Sequence, residues 1–374
     1  MPKQKGARSK RVRYAVVGLG HIAQAAVLPA FRHAARNSEL VALVSGDPRK
    51  LKQLGRRYRV EHFAGYEEFD AFLATDLVDA VYLALPNNLH RDFALRAARA
   101  GKHVLSEKPM AVSARDCEAM IRATRNAGVK LMVAYRLHFE RANLEAMQLV
   151  RSGRIGAPRF FSSDFAMQVS KDNIRLEREK GGGPLYDIGI YCINAARFML
   201  GAEPTSVWAT ATKSRDPRFR EVEETLIGVM RFKDERMASF TCSFGAADRS
   251  TFTVTGTRGS VTLDPAYEYA EGLSYTLRLG DKERVKRFGK SDQFAPELLH
   301  FSDCILKDRQ PEPSGEEGLA DLRIIEAMHR STQSGRWVSL PAPPRKARLS
   351  LRQEQRRPPV PREPSLVHAQ GASA

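Results

Sequence analysis

The chain opens with VRYAVVGLGHIA at residues 12–23, an apolar run followed by two glycines and a stretch of helix-forming residues. The apolar run predicts a buried strand, and the pattern Gly-x-Gly-x-x-Ala predicts a tight turn into a helix. In such a turn Gly18 permits the sharp bend, Gly20 lets the backbone approach a pyrophosphate, and the small Ala23 lets helix and strand pack closely. Because a helix N-terminus then faces the anion, this opening predicts a dinucleotide site of the Rossmann type.

The end of the second predicted strand, residues 40–44, indicates which dinucleotide binds. Sites for NAD usually carry an acid there to hold the ribose hydroxyls. This chain reads SGDPRK at residues 45–50, with Ser45 at the strand end and the cations Arg49 and Lys50 close behind. A small hydroxyl and two cations suit a 2′-phosphate, so NADP is favoured. In the alternative, Asp47 holds the ribose of NAD, although its place before a proline is more typical of a helix N-cap.

Strands and helices alternate up to about residue 138, which predicts a parallel, doubly wound sheet. Strands are expected at residues 78–85, 103–105 and 129–134, and helices at residues 48–57, 91–100 and 114–126. Open α/β sheets bind ligands outside the carboxyl ends of their strands. Polar residues follow the predicted strands at these ends, and they are Asn87, His90, Glu107, Lys108, Tyr135, Arg136 and His138.

One of these strand ends carries a lysine, in the stretch GKHVLSEKPMA at residues 101–111. Desolvation at the end of a buried strand would lower the pKa of Lys108 and let it exchange a proton with a substrate hydroxyl. A surface turn made by Lys108 and Pro109 is the simpler alternative.

A different pattern begins after residue 153. The stretch GGGPLYDIGIY at residues 181–191 predicts a glycine-rich loop that enters a helix with Pro184 in its first turn. Asp187 and Tyr191 are four residues apart and therefore share a helix face, where they could flank a substrate. Strands without intervening helices follow from residue 205 to residue 279, and two helices are expected at residues 296–306 and 317–334. This second half is predicted to be an α+β unit.

Charge and cysteine content limit the classes of protein that fit. The formal net charge is +17, but residues 1–13 carry six Lys/Arg and no acid, and residues 341–374 carry seven Lys/Arg and two acids. No nucleic-acid-reading motif accompanies these basic ends, so no specific nucleic-acid partner is expected. Four widely spaced cysteines without a C-x-x-C pattern predict reduced thiols in the cytoplasm and no metal site. Neither an export signal nor an apolar run of membrane length is apparent, so no membrane association is expected.

Seven motifs together resemble a known family, the Gfo/Idh/MocA oxidoreductases, and most closely its glucose–fructose oxidoreductase branch. The motifs are GLGHIA (18–23), LVSGDPRK (43–50), LPNNLH (85–90), GKHVLSEKPMA (101–111), YRLHFE (135–140), GGGPLYDIGIYCIN (181–194) and SGEEGLADLR (314–323). The resemblance spans about residues 12–340 and implies a Rossmann domain followed by an α+β domain with an open, mainly antiparallel sheet. In the family that sheet commonly forms homodimer or homotetramer contacts. The activity implied is hydride transfer between a nicotinamide and a hydroxyl-bearing carbon of a sugar or polyol.

The resemblance also implies roles for individual residues. Lys108, followed by an often cis Pro109, would contact the substrate and the nicotinamide ribose and stabilise charge on oxygen. Asp187 would orient the substrate, and Tyr191 would be the acid–base. Ser45 and Lys50 match positions that hold a 2′-phosphate in relatives that use NADP. The residues expected to bind cofactor are Gly18, Gly20, His21, Ile22, Ser45, Gly46, Arg49, Lys50, Leu85, Asn87, His90, Glu107, Lys108 and Arg136.

Two alternatives to a sugar oxidoreductase stay open: a dihydrodiol-type dehydrogenase, and a non-catalytic NADP-binding regulator. The presence of Lys108, Asp187 and Tyr191 argues against the regulator, because a protein that only senses NADP has no need of them. Only about a dozen residues precede the first strand, whereas periplasmic glucose–fructose oxidoreductases carry an export signal and an arm that buries the cofactor. An enzyme that releases NADP(H) in each cycle is therefore expected.

The expected organisation has four parts. They are a basic tail at residues 1–11, a Rossmann domain at residues 12–138, an α+β domain for substrate binding and oligomerisation at residues 139–340, and a disordered, basic, proline-rich tail at residues 341–374.

Overall fold

The computed structural model describes residues 11–212, 214–341, 349–361 and 364–372. Its first half alternates strands and helices. In chain order these are β1 (Val12–Val17), α1 (Leu28–Ala34), β2 (Ser38–Val44), α2 (Pro48–Tyr58), β3 (His62–Ala64), α3 (Phe69–Leu73), β4 (Ala80–Leu83), α4 (His90–Arg99), β5 (His103–Glu107), α5 (Ala114–Asn126), β6 (Leu131–Ala134) and α6 (Arg141–Arg151). The six strands form a parallel sheet in the order β3-β2-β1-β4-β5-β6. The predicted doubly wound Rossmann sheet is confirmed.

The glycine turn after β1 has the shape that its sequence predicts. Gly18 has a φ of +89°, and a Cβ there would lie 2.5 Å from the carbonyl oxygen of Ala84, so any side chain would collide with the neighbouring strand end. A π-helical turn, Ala23–Val27, leads from the glycines into α1. A second π-helical turn, Leu185–Gly189, precedes α7 (Ile190–Leu200) and carries Asp187. Turns of this kind occur frequently at functional sites.

The second half is built on one large sheet. In chain order its elements are β7 (Pro158–Ala166), α7, β8 (Pro204–Thr212), β9 (Thr225–Phe232), β10 (Met237–Ser243), β11 (Arg249–Gly256), β12 (Gly259–Leu263), β13 (Ser274–Leu279), β14 (Lys282–Arg287), α8 (Ala295–Leu306), α9 (Gly315–Ser334) and β15 (Val338–Ser339). The nine strands are ordered β14-β13-β12-β11-β7-β10-β9-β8-β15. Among the described strands of this second sheet, only the β7–β10 pair is parallel, so the expected open, mainly antiparallel sheet is confirmed.

Helix α8 packs against the first sheet, although the sequence analysis placed its residues in the second domain. Phe294, Leu298 and Phe301 share a buried cluster with residues of β1 and α1. The Tyr14 hydroxyl on β1 lies 2.7 Å from the hydroxyl of Ser302 on α8. The apolar face of α8 therefore completes the core on one side of the parallel sheet, and the division of the chain at residue 138 is not a clean spatial division.

Parts of the segment expected to be disordered are packed on the body of the protein. Leu349 is 2% exposed and Val367 is 6% exposed, and Arg151 donates to the carbonyl of Leu349. The basic, proline-rich composition of residues 341–374 does not predict that these two apolar residues are buried. Residues 1–10, 342–348, 362–363 and 373–374, on which the tail predictions also fall, lie outside the described residues. Within the described residues no helix is long and apolar enough to cross a membrane.

Candidate active site

A cavity of about 1410 Å³ lies where the carboxyl ends of the parallel strands face the large sheet. The glycine turn, the ends of β2, β4 and β5, and the π-helical turn before α7 all contribute to its wall. Pockets for one small molecule usually measure roughly 300–1,000 Å³. The cavity therefore has room for a dinucleotide and a second, smaller molecule.

Lys108 and Asp187 meet at the centre of this cavity. Lys108 follows β5 through a cis bond to Pro109, and its side chain is 13% exposed. Its Nζ donates to Asp187 Oδ1 at 3.1 Å and to the Asp187 carbonyl oxygen at 2.8 Å. On the other side, Arg175 Nε donates to Asp187 Oδ2 at 2.7 Å. Asp187 is thus fixed between two cations, both of which line the cavity.

The charges in this group are set by its ion pairs. Desolvation would raise the pKa of Asp187, but Arg175 and Lys108 hold it well below its ordinary range. Burial would lower the pKa of Lys108, but Asp187 and the other anionic neighbours raise it above its ordinary value. The pKa of Lys108 is therefore raised, which is the opposite of the lowered pKa considered from its position at a strand end. Lys108 is a fixed cation at neutral pH.

Tyr191 projects from the first turn of α7 into the same space. Lys108 Nζ lies 4.7 Å from the centroid of its ring, and the Arg136 guanidinium lies 5.2 Å from that centroid. Arg136 Nη2 donates to the Tyr191 hydroxyl at 3.4 Å. Phe165 and Tyr267 pack against the ring, with centroids 5.6 Å and 5.8 Å away. A negative charge on the phenol oxygen or on a bound oxygen beside it would be stabilised by two cations.

The buried carboxyl group of Glu107 lies behind Lys108 and is bound to Tyr82. Its Oε1 accepts a hydrogen bond from the Tyr82 hydroxyl at 2.8 Å. Burial raises the pKa of Glu107, while Lys108 and Arg136 oppose the shift.

The cavity wall fits a phosphorylated dinucleotide. A Cβ on Gly20 would meet nothing within 4 Å, so the glycine leaves open space beside the helix N-terminus where a pyrophosphate needs to approach. Ser45 and Lys50 line the cavity at the end of β2. Asp47 caps α2 by accepting from the amides of Arg49 and Lys50 at 2.9 Å and 3.3 Å. These contacts favour the N-cap interpretation of Asp47 over a role on an NAD ribose.

Most of the residues predicted for the site lie on the cavity wall. Those that line it are Gly18, Gly20, His21, Ile22, Ser45, Lys50, Leu85, Asn87, Glu107, Lys108, Arg136, Asp187 and Tyr191. Three others, Gly46, Arg49 and His90, do not. A Cβ on Gly46 would meet the Tyr66 ring at 3.2 Å. Arg49 is exposed on α2.

His90 serves a structural purpose behind the cavity. Its ring is fully buried, with Nδ1 2.9 Å from the carbonyl oxygen of Pro109 and Nε2 2.9 Å from that of Leu85. Burial lowers the pKa of His90, so its neutral ring donates to one of these oxygens. The contact links the loop after β4 to the loop that carries Lys108.

Arg175 is the functional residue that sequence reasoning missed. It is the central residue of a short 3₁₀ turn, Ile174–Leu176, in the segment between β7 and α7, and no periodic pattern surrounds it. Its separation of twelve residues from Asp187 gave no signal, because only the folded loop brings the two side chains together.

Comparisons with known proteins agree with this arrangement. Residues 12–135 match a family described as oxidoreductase family, NAD-binding Rossmann fold, and residues 143–262 match the GFO/IDH/MocA C-terminal domain. D-xylose 1-dehydrogenase [NADP(+)] of Haloarcula marismortui is 31% identical over 90% of this chain and 96% of its own length.

Two solved structures are similar as well. Aldose–aldose oxidoreductase from Caulobacter crescentus, complexed with glycerol, is 42% identical with a TM-score of 0.85 and covers 88% of this chain and 100% of its own. A 3-ketoreductase from Actinomadura kijaniata, in complex with NADP and TDP-benzene, is 28% identical with a TM-score of 0.78 and covers 86% of this chain and 98% of its own.

The Rossmann sheet and the glycine turn, together with these matches, define a nicotinamide-dependent oxidoreductase. The chain belongs to the GFO/IDH/MocA oxidoreductase family. The family resemblance inferred from the sequence motifs is confirmed.

Proposed function

We propose that this protein is an NADP-dependent oxidoreductase that transfers a hydride between the nicotinamide and a hydroxyl-bearing carbon of an aldose. The observation that carries the proposal is the fixed group of Lys108, Asp187 and Tyr191 in a cavity large enough for a dinucleotide and a sugar. The NADP(+)-dependent xylose dehydrogenase and the aldose–aldose oxidoreductase among its relatives support a sugar substrate.

In the proposed mechanism this chain supplies proton transfer, orientation and charge. As the phenolate, Tyr191 accepts the proton of the reacting sugar hydroxyl in the oxidation direction, and as the phenol it returns that proton in the reduction direction. Lys108, held cationic by Asp187, stabilises the charge that develops on the sugar oxygen. Asp187, held ionised by Arg175, accepts hydrogen bonds from neighbouring sugar hydroxyls. Bound NADP supplies the hydride acceptor or donor.

The first prediction tests this assignment with Lys108→Met. Loss of the cation should lower turnover roughly several hundredfold, because positioned acid–base and charge-stabilising groups contribute about 10²–10⁴-fold, while NADPH affinity changes little. Turnover is followed by nicotinamide absorbance with a panel of aldoses, ketoses, polyols and trans-dihydrodiols. Lys102→Met is the matched control, because Lys102 lies in the same stretch and donates to the Thr75 carbonyl outside the cavity.

Near-normal turnover of Lys108→Met would remove Lys108 from the mechanism. Turnover of dihydrodiols without turnover of any sugar would replace the proposed substrate class.

A second candidate function is direct exchange between two sugars at one site, one aldose being oxidised and another reduced. The 42% identical aldose–aldose oxidoreductase favours it. In this reaction the hydride and the proton removed from the first sugar are delivered to the carbonyl group of the second, with no net change in NADP. The test supplies two aldoses and only as much NADP as there is enzyme. Product in excess of that NADP distinguishes exchange from ordinary dehydrogenation, which would stop after one turnover.

We also propose that the protein is a cytoplasmic homo-oligomer that associates through its large sheet. Phe160, Ile227 and Met237 are 39–47% exposed on neighbouring strands, and Met237 is paired directly with Phe160. The four buried, unpaired cysteines suit a reducing compartment. Sedimentation velocity of the parent protein and of Met237→Glu tests the interface, with dissociation expected only in the variant.

A further inference from the structure

Residues 364–372 cross the mouth of the cavity and touch both of its sides. Near one end, the Arg57 guanidinium on α2 donates to the Ser365 carbonyl at 2.7 Å and to its hydroxyl at 3.0 Å. At the other end, the Ser170 amide donates to the Ala372 carbonyl at 2.9 Å, and Asn173 Nδ2 donates to the Gly371 carbonyl at 2.9 Å. The residues between these ends, 368–372, line the cavity itself.

The centre of this segment is bound to a buried glutamine beside the glycine turn. Gln24 is 0% exposed, and its Nε2 donates to the Val367 carbonyl at 2.9 Å while its Oε1 accepts from the Val367 amide at 2.7 Å. The same Nε2 donates to the Leu19 carbonyl at 2.8 Å. A buried amide side chain is costly unless its donors and acceptor are satisfied. Val367 therefore completes the hydrogen bonding of a residue that supports the glycine turn.

The next residue reaches the end of β2, beside Ser45 and Lys50. His368 Nδ1 lies 3.1 Å from Asp47 Oδ2, while Asp47 Oδ1 accepts from the first amides of α2. Both carboxylate oxygens of Asp47 are thus engaged. The crossing segment thus supplies the partner of the Asp47 oxygen that the helix cap leaves over.

We propose that residues 364–372 are part of the dinucleotide site and act as a clasp, anchored by Val367 on Gln24 and by His368 on Asp47, that must open before NADP(H) can leave. The glycine turn, Ser45, Lys50 and residues 368–372 border one continuous cavity, so a dinucleotide held along that wall lies beneath the segment. Release then requires that the contacts with Arg57, Gln24, Asp47 and residues 170–173 break.

The clasp makes slow cofactor release a property of this chain. The short stretch before β1 led to the expectation that NADP(H) dissociates freely in each cycle. In the folded protein, the opposite end of the sequence supplies the cover. Retention of the dinucleotide by the clasp does not depend on which substrate the enzyme takes.

The rate of NADPH release tests the clasp. Stopped-flow fluorescence would follow displacement of bound NADPH by excess NADP⁺ from the full chain and three variants. Val367→Asp places a charge in the buried apolar cluster that holds Val367, and Leu366→Asp makes the same change at the adjacent residue, which is 38% exposed. The third variant lacks residues 362–374. Thermal unfolding without cofactor checks that each variant is folded.

Release from Val367→Asp and from the shortened chain should be at least about tenfold faster than from the parent, because a buried charge displaces the segment in the first variant and the contacts with Gln24 and Asp47 are absent from the second. Release from Leu366→Asp should stay within about twofold of the parent rate. Unchanged release from either folded clasp variant, or equal acceleration by Leu366→Asp, would overturn the clasp. The two clasp variants are independent, so if one fails to fold the other decides.

This outcome is separable from that of the proposed function. Slow NADPH release in a protein that oxidises no sugar would keep the clasp and overturn the proposed substrate class. Sugar oxidation by a protein whose parent and variant forms all release NADPH at the same rate would overturn the clasp and keep the proposed substrate class.

Discussion

At the scale of single residues, two adjacent cations on α2 differ in whether they reach the cavity. Lys50 lines the cavity beside Ser45, while Arg49 is exposed and does not. A charge-assisted hydrogen bond contributes about 1.5–3 kcal/mol, so Lys50→Ala should weaken NADPH binding about tenfold to a hundredfold. Its effect on NADH should be small, because NADH lacks the 2′-phosphate.

Arg49→Ala is the matched control in fluorescence titrations with both nucleotides. It should leave NADPH affinity within about twofold of the parent. If Arg49→Ala weakens NADPH binding as much as Lys50→Ala does, the sequence-based assignment of Arg49 to the cofactor site is correct and its exposure in the folded protein is not decisive.

The same scale shows what the sequence can predict of the site. Lys108 follows a strand and Asp187 and Tyr191 share a helix face, so local pattern allowed these residues a place in the crevice, and the family resemblance then indicated it. Arg175 and His368 reach the site through irregular segments. Their positions depend on tertiary contacts far from them in sequence, and no periodicity records such contacts.

At the scale of secondary-structure elements, α8 carries a histidine whose protonation couples stability to pH. His300 Nε2 accepts a hydrogen bond from the Glu312 amide at 3.2 Å, which requires an unprotonated nitrogen. Burial, with a smaller effect of Arg309, lowers the pKa of His300 from 6.5 to about 4. Below about pH 6.5 the unfolded chain takes up a proton that the folded chain does not. The stabilisation is complete above the unfolded pKa and is lost as the pH falls towards 4.

His300→Gln should therefore flatten the dependence of stability on pH. An amide keeps an acceptor oxygen and does not titrate, so the loss of unfolding free energy between about pH 7 and about pH 5 should shrink by about 1–2 kcal/mol. Urea unfolding at the two pH values measures this difference. His62→Gln, at an exposed position on β3, should leave the pH dependence unchanged. If the unfolding free energy falls equally between the two pH values in the parent and in His300→Gln, the low pKa of His300 is contradicted.

Element prediction from sequence succeeded where the alternation of polar and apolar residues was strong. Helix α5 has the bounds expected from the sequence, residues 114–126, and the Ser113 hydroxyl caps it by accepting from the Asp116 amide. Strand β14 was missed because its sequence, KERVKR, lacks an apolar face. It is an edge strand, and charged edges are common because they discourage pairing with other chains.

At the scale of the whole molecule, a buried arginine ties the last long helix to the second half of the fold. Arg197 on α7 is 1% exposed and contacts Glu203 at 2.6 Å, Glu317 at 3.2 Å, and Asp321. Arg197→Met would leave three carboxyl groups buried without their cation, and we expect the free energy of unfolding to fall by about 3–5 kcal/mol.

Chemical unfolding of Arg197→Met measures this loss. The control is Arg278→Met, which removes an exposed pair with Glu283 and should cost at most about 1 kcal/mol. Similar losses in the two variants would show that the buried network is no more important than a surface ion pair.

The arrangement of the whole molecule was less predictable than its elements. The resemblance and the strand pattern indicated two units, but not that α8 returns to the first sheet or that residues 364–372 pack beside the glycine turn. Both contacts join residues more than two hundred and fifty positions apart, for example Tyr14 with Ser302. Local sequence windows carry no information about such distant pairs.

The return of α8 has a consequence for biosynthesis. During translation the parallel sheet of residues 12–134 emerges long before residues 295–306, so its β1 and α1 face has no cover until the ribosome has made most of the chain. Exposed apolar surface on a partly made protein invites aggregation and chaperone binding. Nascent chains that stop before residue 295 should therefore be captured by chaperones, whereas chains that extend far enough for α8 to leave the exit tunnel should escape.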